Sequence, residues 1–258
     1  MDLKFIDMSV LNPIKISFIG ICVLCSSFAQ GQNFNSASPW EIGAGGSGFI
    51  YLGDLTPNRI GAIETTKPGG LLFVNYKLHP RWILQAGAAV GSLKGDDAEY
   101  AKPTVRRERN FAFTSSMTEA SLKLQYNLFN EFKAESTTLL PYISSGIAVN
   151  FLNIKKDFSG LTTKLINEEP GILIGLQQDS IHGTPDRIFT VPITLGLRKA
   201  FSERWDVFTE ANFRYSFTDY IDGFSKSVYG KANDHFYSIN VGLVYKFTNS
   251  RGLGCPKF

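Results

Sequence analysis

Three groups of side chains could do chemistry. The first is the histidines: His79 in His79-Pro80-Arg81, His182 in Asp179-Ser180-Ile181-His182, and His235 beside Asp234. Hydrolysis would need a nucleophile, a base and an orienting group within reach of one another. Ser180 with His182 could be drawn that way, but Ser, His and Asp are ordinary loop residues. No GxSxG, HExxH or Walker pattern occurs, so no catalytic residue and no cofactor is assigned. The second group is acidic: Asp54, Asp96, Asp97, Asp157, Asp219 and Asp222. Such carboxylates could bind calcium or share divalent ions with lipid phosphates, or serve as turn and solvation residues. Of these, Asp54, Asp96, Asp97, Asp219 and Asp222 are the metal candidates. Arg106-Arg107-Glu108-Arg109 could touch lipid phosphates or form a solvated loop.

The third group consists of polar residues at alternate positions of otherwise apolar segments: Glu119, Lys123, Gln125, Arg198, Glu210, Asn212 and Arg214. What positions them is a period of two. Eight segments alternate apolar with small or polar residues, which is the strand period: Trp40–Gly53, Gly69–Leu78, Trp82–Leu93, Phe111–Phe129, Pro141–Leu152, Ile188–Phe201, Trp205–Ser216 and Phe236–Phe247. The seventh is the cleanest, with Trp205, Val207, Thr209, Ala211, Phe213 and Tyr215 set against Asp206, Phe208, Glu210, Asn212, Arg214 and Ser216. No amphipathic helix of useful length competes. Pro192 removes a ladder donor from the sixth segment and suggests a bulge.

Connection lengths decide the architecture. Residues 79–81 and 202–204 are short links, and 130–140 is longer. The intervening links 54–67, 94–110, 153–187 and 218–235 are all long, the third most of all. Short turns at one end and long loops at the other are the signature of an outer-membrane barrel. The expected fold is all-β: an eight-stranded antiparallel up-and-down transmembrane β-barrel with short periplasmic turns and long extracellular loops.

Aromatic placement agrees. Trp40, Trp82 and Trp205 fall at the short-turn end of their segments, with Tyr76, Tyr126, Tyr245 and Phe247 at similar depth, as in an interfacial girdle. A soluble barrel would also alternate, but its polar face would be the wet one. Eight strands enclose an interior just wide enough for side chains, and unpaired buried charges are costly. Carboxylate–cation pairs are therefore expected across the lumen, such as Glu210 or Glu119 with Arg214, Lys123 or Arg198. That is a filled core rather than a diffusion pore.

Composition sets the remaining bounds. The 258 residues are 43% apolar, 13% aromatic and 19% charged, which is not a disordered chain, and the +3 net charge suits no dedicated nucleic-acid binder. Ile16–Cys25 is an apolar stretch preceded by Lys15 and followed by Ser27-Phe28-Ala29, the layout of an export signal; the alternative lipoprotein reading would use Cys22 or Cys25. The expected divisions are a signal peptide over 1–29, a periplasmic segment over 30–39, the barrel over 40–247 and a periplasmic tail over 248–258. Cleavage after Ala29 leaves Cys255 as the lone cysteine, without a disulfide framework. Cys255 could cap a partner contact or be a stray thiol in a frayed terminus.

Several ordered motifs point to a family: Trp40-Glu41-Ile42-Gly43, Tyr51-Leu52-Gly53-Asp54-Leu55, Arg81-Trp82, Gly95-Asp96-Asp97, Val191-Pro192-Ile193, Phe217-Thr218-Asp219-Tyr220-Ile221-Asp222 and the ending Cys255-Pro256-Lys257-Phe258. With this spacing the chain resembles the PorG-like outer-membrane barrels associated with the type IX secretion system. The resemblance implies a non-enzymatic scaffold that anchors a periplasmic ring, built from a lipoprotein and its partner subunit, to outer-membrane lipid. It transfers no catalytic residue. The alternative is a stand-alone barrel whose long loops bind lipid or a ligand, or modify lipid A.

Overall fold

Period-two alternation leaves each segment with backbone groups that only a neighbouring strand can satisfy, and a closed sheet satisfies all of them without an edge. The computed structural model describes residues 37–56, 61, 63–99, 104–129, 139–227 and 233–248. Its strands are β1 (Ala37–Leu52), β2 (Lys67–His79), β3 (Trp82–Asp96), β4 (Ala112–Asn127), β5 (Leu140–Asp157), β6 (Arg187–Ala200), β7 (Trp205–Ser216) and β8 (His235–Thr248). They form a closed barrel in the order β1-β2-β3-β4-β5-β6-β7-β8, with successive strands from β1 to β8 paired antiparallel. The expected fold class is the one observed. The export signal, the 30–36 segment and the Cys255 tail lie outside the described residues.

Strands β3 and β5 run further toward the loops than the apolar pattern suggests, pairing Asp96 with Ala112 and Ala112 with Asp157. Polar outward residues there, such as Lys94 and Lys155, hide the strand from a search for apolar alternation. The bulge expected at Pro192 is not found. Pro192 pairs with Arg214 on one side; on the other, the ladder stops at Ser145↔Ile193 and resumes at Ala148↔Thr190 with the same offset. The missing N–H opens a gap without inserting a residue. A register shift falls instead between Lys77 and His79, at the turn into β3.

The long links carry helices that the sequence reading did not anticipate: α1 (Thr104–Arg109), α2 (Thr163–Glu168) and α3 (Gly171–His182). Helix α3 buries Ile172, Gly175, Leu176 and Asp179 while Leu173, Ile174 and Ile181 stay exposed. Its apolar residues ring the helix and an aspartate sits on the buried side, so no amphipathic stripe betrays it. The Asp179 carboxylate accepts backbone N–H groups of Lys226 (2.9 Å) and Ser227 (3.0 Å) and the Ser227 hydroxyl (2.7 Å), which ties α3 to the β7–β8 loop. Gly183, at φ +76°, ends the helix in a conformation other residues resist.

Candidate functional site

The barrel is polar inside and apolar outside. Outward Leu72, Ile147, Phe189 and Leu195 are each more than 60% exposed, while inward Glu41, Asn150 and Ser238 are fully buried. A continuous apolar surface of this extent does not suit water; it suits hydrocarbon. At the turn end the outer face carries three cross-strand aromatic pairs in direct register. Trp40 meets Tyr76 at 4.8 Å, Trp82 meets Tyr126 at 4.8 Å, and Trp205 meets Tyr245 at 5.0 Å between ring centroids. Phe247 stands edge-on to Tyr245 at 5.2 Å. All seven expected girdle residues lie at this end.

Inside the turn end, charges close the lumen. Arg198 forks onto Glu41 through Nη1 (2.7 Å) and Nη2 (2.8 Å), and its Nε reaches Asp206 at 2.5 Å. Lys77 joins Glu41 and Lys246 joins Asp206, both at 2.7 Å. Asn75 donates to Glu41 (3.2 Å) and accepts from Gln85 (3.0 Å), while Gln125 donates to Asn127 (2.7 Å). Glu41 and Asp206, rather than Glu210 or Glu119, are the partners of Arg198. Strand parity would have found both, because each sits one residue after a girdle Trp. Two close packings fill the rest. A Cβ at Gly43 would lie 2.2 Å from the Phe73 ring, and one at Gly196 would lie 2.1 Å from the Tyr142 ring, so only glycine admits these aromatics.

Halfway up, Arg214 bonds Glu119 through Nε (2.6 Å) and Nη2 (3.3 Å), donates to the Ser238 hydroxyl (2.7 Å), and lies between the Phe49 and Phe236 rings. One of the expected ion pairs is therefore formed. Glu210 differs: it accepts from the Tyr142 hydroxyl (2.8 Å) and the Asn240 amide (2.9 Å) rather than from a cation. Lys123 makes no ion pair among the described residues. With Glu119, Glu210, Asn212 and Arg214 it lines a cavity of ≈ 20 Å³, room for about one water.

Inside the loop end the filling is aromatic. Phe49, Tyr51, Leu55, Phe111, Phe113, Phe224 and Phe236 pack with Leu165, Ile172 and Leu176 from the loop helices. Phe111 stacks on Phe224 at 4.6 Å. Within this core the Tyr51 hydroxyl lies 2.8 Å from Asp222 Oδ2 and 2.5 Å from Asp234 Oδ1. One hydroxyl proton cannot serve two carboxylates, so both contacts become hydrogen bonds only if one carboxyl is protonated. Burial pushes Asp234 up to about 8, helped by the charges of Asp219 and Asp54. Burial and the Asp234 charge push Asp222 well above its ordinary range. Burial also raises Asp219 to about 6 and raises Asp54.

Most of the acidic residues have partners other than a metal. Asp97 is buried and held by Arg109 (2.6 and 2.8 Å), and Asp96 by Lys94 (3.0 Å). Asp222 is held by Tyr51 and the Phe224 N–H. Asp54 and Asp219 stand beside them without completing a set: no group of three or more His, Cys, Asp or Glu could hold a metal ion among the described residues. Arg109 is likewise a buried structural cation rather than part of a solvated run, with Arg106 3.6 Å from the same Asp97. The histidines do not converge. His182 stacks on Tyr220 at 4.0 Å, His235 accepts from the Ser216 N–H, and the Asp179 carboxylate is occupied on the buried side of α3.

The chain matches the model of a family described as a domain of unknown function, DUF6089, over residues 15–251. Among curated proteins no sequence matches it significantly. Solved structures to which it is similar include Neisserial surface protein A, at 12% identity over 83% of this chain and 100% of that one (TM-score 0.43). Another is the attachment invasion locus protein Ail of Yersinia pestis, at 7% identity over 81% and 99% (TM-score 0.43). A third is the outer membrane protein OprG of Pseudomonas aeruginosa, at 11% identity over 83% and 98% (TM-score 0.42).

Proposed function

The chain belongs to the DUF6089 family, and from that premise we propose that it is a non-enzymatic outer-membrane barrel that anchors the periplasmic ring of a type IX protein secretion complex. The observation that carries the membrane part is the reversal of polarity, with an apolar belt outside and paired charges inside. A lumen locked by Glu41, Arg198, Asp206, Glu119 and Arg214 offers rigidity rather than passage. Short turns then face the periplasm and long loops the exterior. The secretion role is supported by the ordered motifs from Trp40-Glu41-Ile42-Gly43 to Cys255-Pro256-Lys257-Phe258. It assigns as partners outer-membrane lipid, a ring-forming lipoprotein and that lipoprotein's companion subunit.

The test is a crosslinked pull-down of the tagged full chain from native outer membranes, with partners identified by mass spectrometry. Recovery of a ring-forming lipoprotein and its neighbour is the expected result. Recovery of the barrel with lipid alone overturns the anchor. One observation favours a second reading, a stand-alone barrel acting through its loops: the exposed Leu173, Ile174 and Ile181 face of α3. In that case shortening the 158–186 loop, and not the turn end, abolishes function.

A further inference from the structure

The two shortest links end on the same two residues. Arg81-Trp82 leads into β3, and Arg204-Trp205 leads into β7. In each case the Trp packs on the Tyr directly across the following strand, Tyr126 or Tyr245. In each case the Arg carbonyl accepts the backbone N–H of the next residue, Asn127 or Lys246, at 2.8 Å. The same small unit is thus built twice, four strands apart in a ring of eight, on opposite sides of the barrel.

The two arginines differ from the other cations at this end. Lys77, Arg198 and Lys246 are committed to Glu41 and Asp206. Arg81 and Arg204 are exposed and make no ion pair among the described residues. The Arg81 guanidinium is set by a bond to the Tyr126 hydroxyl (3.1 Å), and exposed Lys199 lies near the end of β6, paired with Val207. Directly behind each unit the apolar belt begins, with Leu84 and Val207 exposed on the same outer face.

We propose that each Arg–Trp–Tyr unit binds the headgroup phosphate of one anionic phospholipid in the leaflet at the turn end. This rests on the membrane reading above. A guanidinium matches a phosphate with two parallel N–H bonds, Trp and Tyr rings sit at headgroup level, and exposed basic residues at a membrane surface draw anionic lipid. The occupant is a lipid rather than an acidic protein because each exposed arginine precedes an outward Trp–Tyr pair continuous with the belt, and the Arg81 guanidinium lies against its pair through Tyr126. A headgroup there keeps its acyl chains on Leu84 or Val207.

The experiment reconstitutes the full chain in vesicles of equal phosphatidylglycerol and phosphatidylcholine and counts retained lipids by native mass spectrometry, with heat-modified gel mobility reporting insertion. Wild type retains phosphatidylglycerol preferentially, one molecule per unit. Arg204→Gln retains half as much, and Arg81→Gln with Arg204→Gln retains none above phosphatidylcholine. Lys164→Gln, at the loop end, changes nothing. An unchanged preference in the inserted double variant overturns the proposal. So does displacement of the lipid by an equal concentration of inorganic phosphate, or Arg-dependent capture of an acidic protein without lipid preference. Failure of wild type to insert overturns the membrane reading itself.

Discussion

The two ends of the lumen are filled by opposite means under one continuous outer surface. At the turn end Glu41, Lys77, Arg198, Asp206 and Lys246 form a linked ionic net. At the loop end Phe49, Phe111, Phe113, Phe224 and Phe236 form an aromatic core, beside which buried Asp97 pairs with Arg109, the last residue of α1. Arg214 marks the boundary, bonded to Glu119 and enclosed by two phenylalanine rings. The difference teaches that the barrel wall sets only which residues point inward. What those residues are depends on what caps the end. At the turn end, where the described links 80–81 and 201–204 are short, water-compatible ion pairs close the lumen. Where loops with helices fold over it, a conventional apolar core forms.

Arg198→Met at the turn end should be the most damaging single substitution. Glu41 and Asp206 would lose the guanidinium they share, and breaking a buried pair in this way costs about 3–5 kcal/mol. Urea unfolding in vesicles reads the loss. No comparable penalty is expected from Lys164→Gln at the exposed loop pair with Glu108, whose urea midpoint should be that of wild type.

Next in size is the outer surface. Leu122 pairs with Ile147 well above the girdle, so Leu122→Arg should cost about 2–4 kcal/mol as a mid-bilayer cation. Leu124→Arg, one outward step nearer Tyr126, should cost less. Equal costs at the two positions would contradict the depth assigned to the belt.

The loop end should also carry a pH dependence that the turn end lacks. Asp234 is raised to about 8 in the folded chain and is ordinary when unfolded, so the folded state binds the extra proton between about pH 4 and 8. Stability should therefore be highest below about pH 4 and fall as the pH rises to about 8. Hydrogen exchange over 217–227 and 233–234 is the readout, and Asp234→Asn should flatten the profile. The turn-end net, whose backbone exchanges separately, should not follow the same curve.

Much of this was legible in the alternation alone. Parity assigned Glu119, Lys123, Gln125, Arg198, Glu210, Asn212 and Arg214 to one face, and the structure buries all seven. Which of them pair was less legible, because a strand pattern carries no information about reach across a lumen. Arg198 finds Glu41 from β1, and Lys123 finds no ion-pair partner among the described residues. The loop end was hardest to read. Its helices are short, α3 lacks an amphipathic stripe, and Tyr51 meets Asp222 and Asp234 only through a loop closure that neither motif nor period encodes.

If the exposed belt faces lipid, its aromatic girdle lies at one interface. The chain has three tryptophans, Trp40, Trp82 and Trp205, all on the outer face at the turn end. Tryptophan fluorescence in vesicles of lipids brominated at graded depths tests it most directly. A lipid-facing girdle gives strong quenching by bromines near the headgroups and progressively weaker quenching toward the acyl-chain ends. Fluorescence indifferent to brominated lipid at every depth would contradict it.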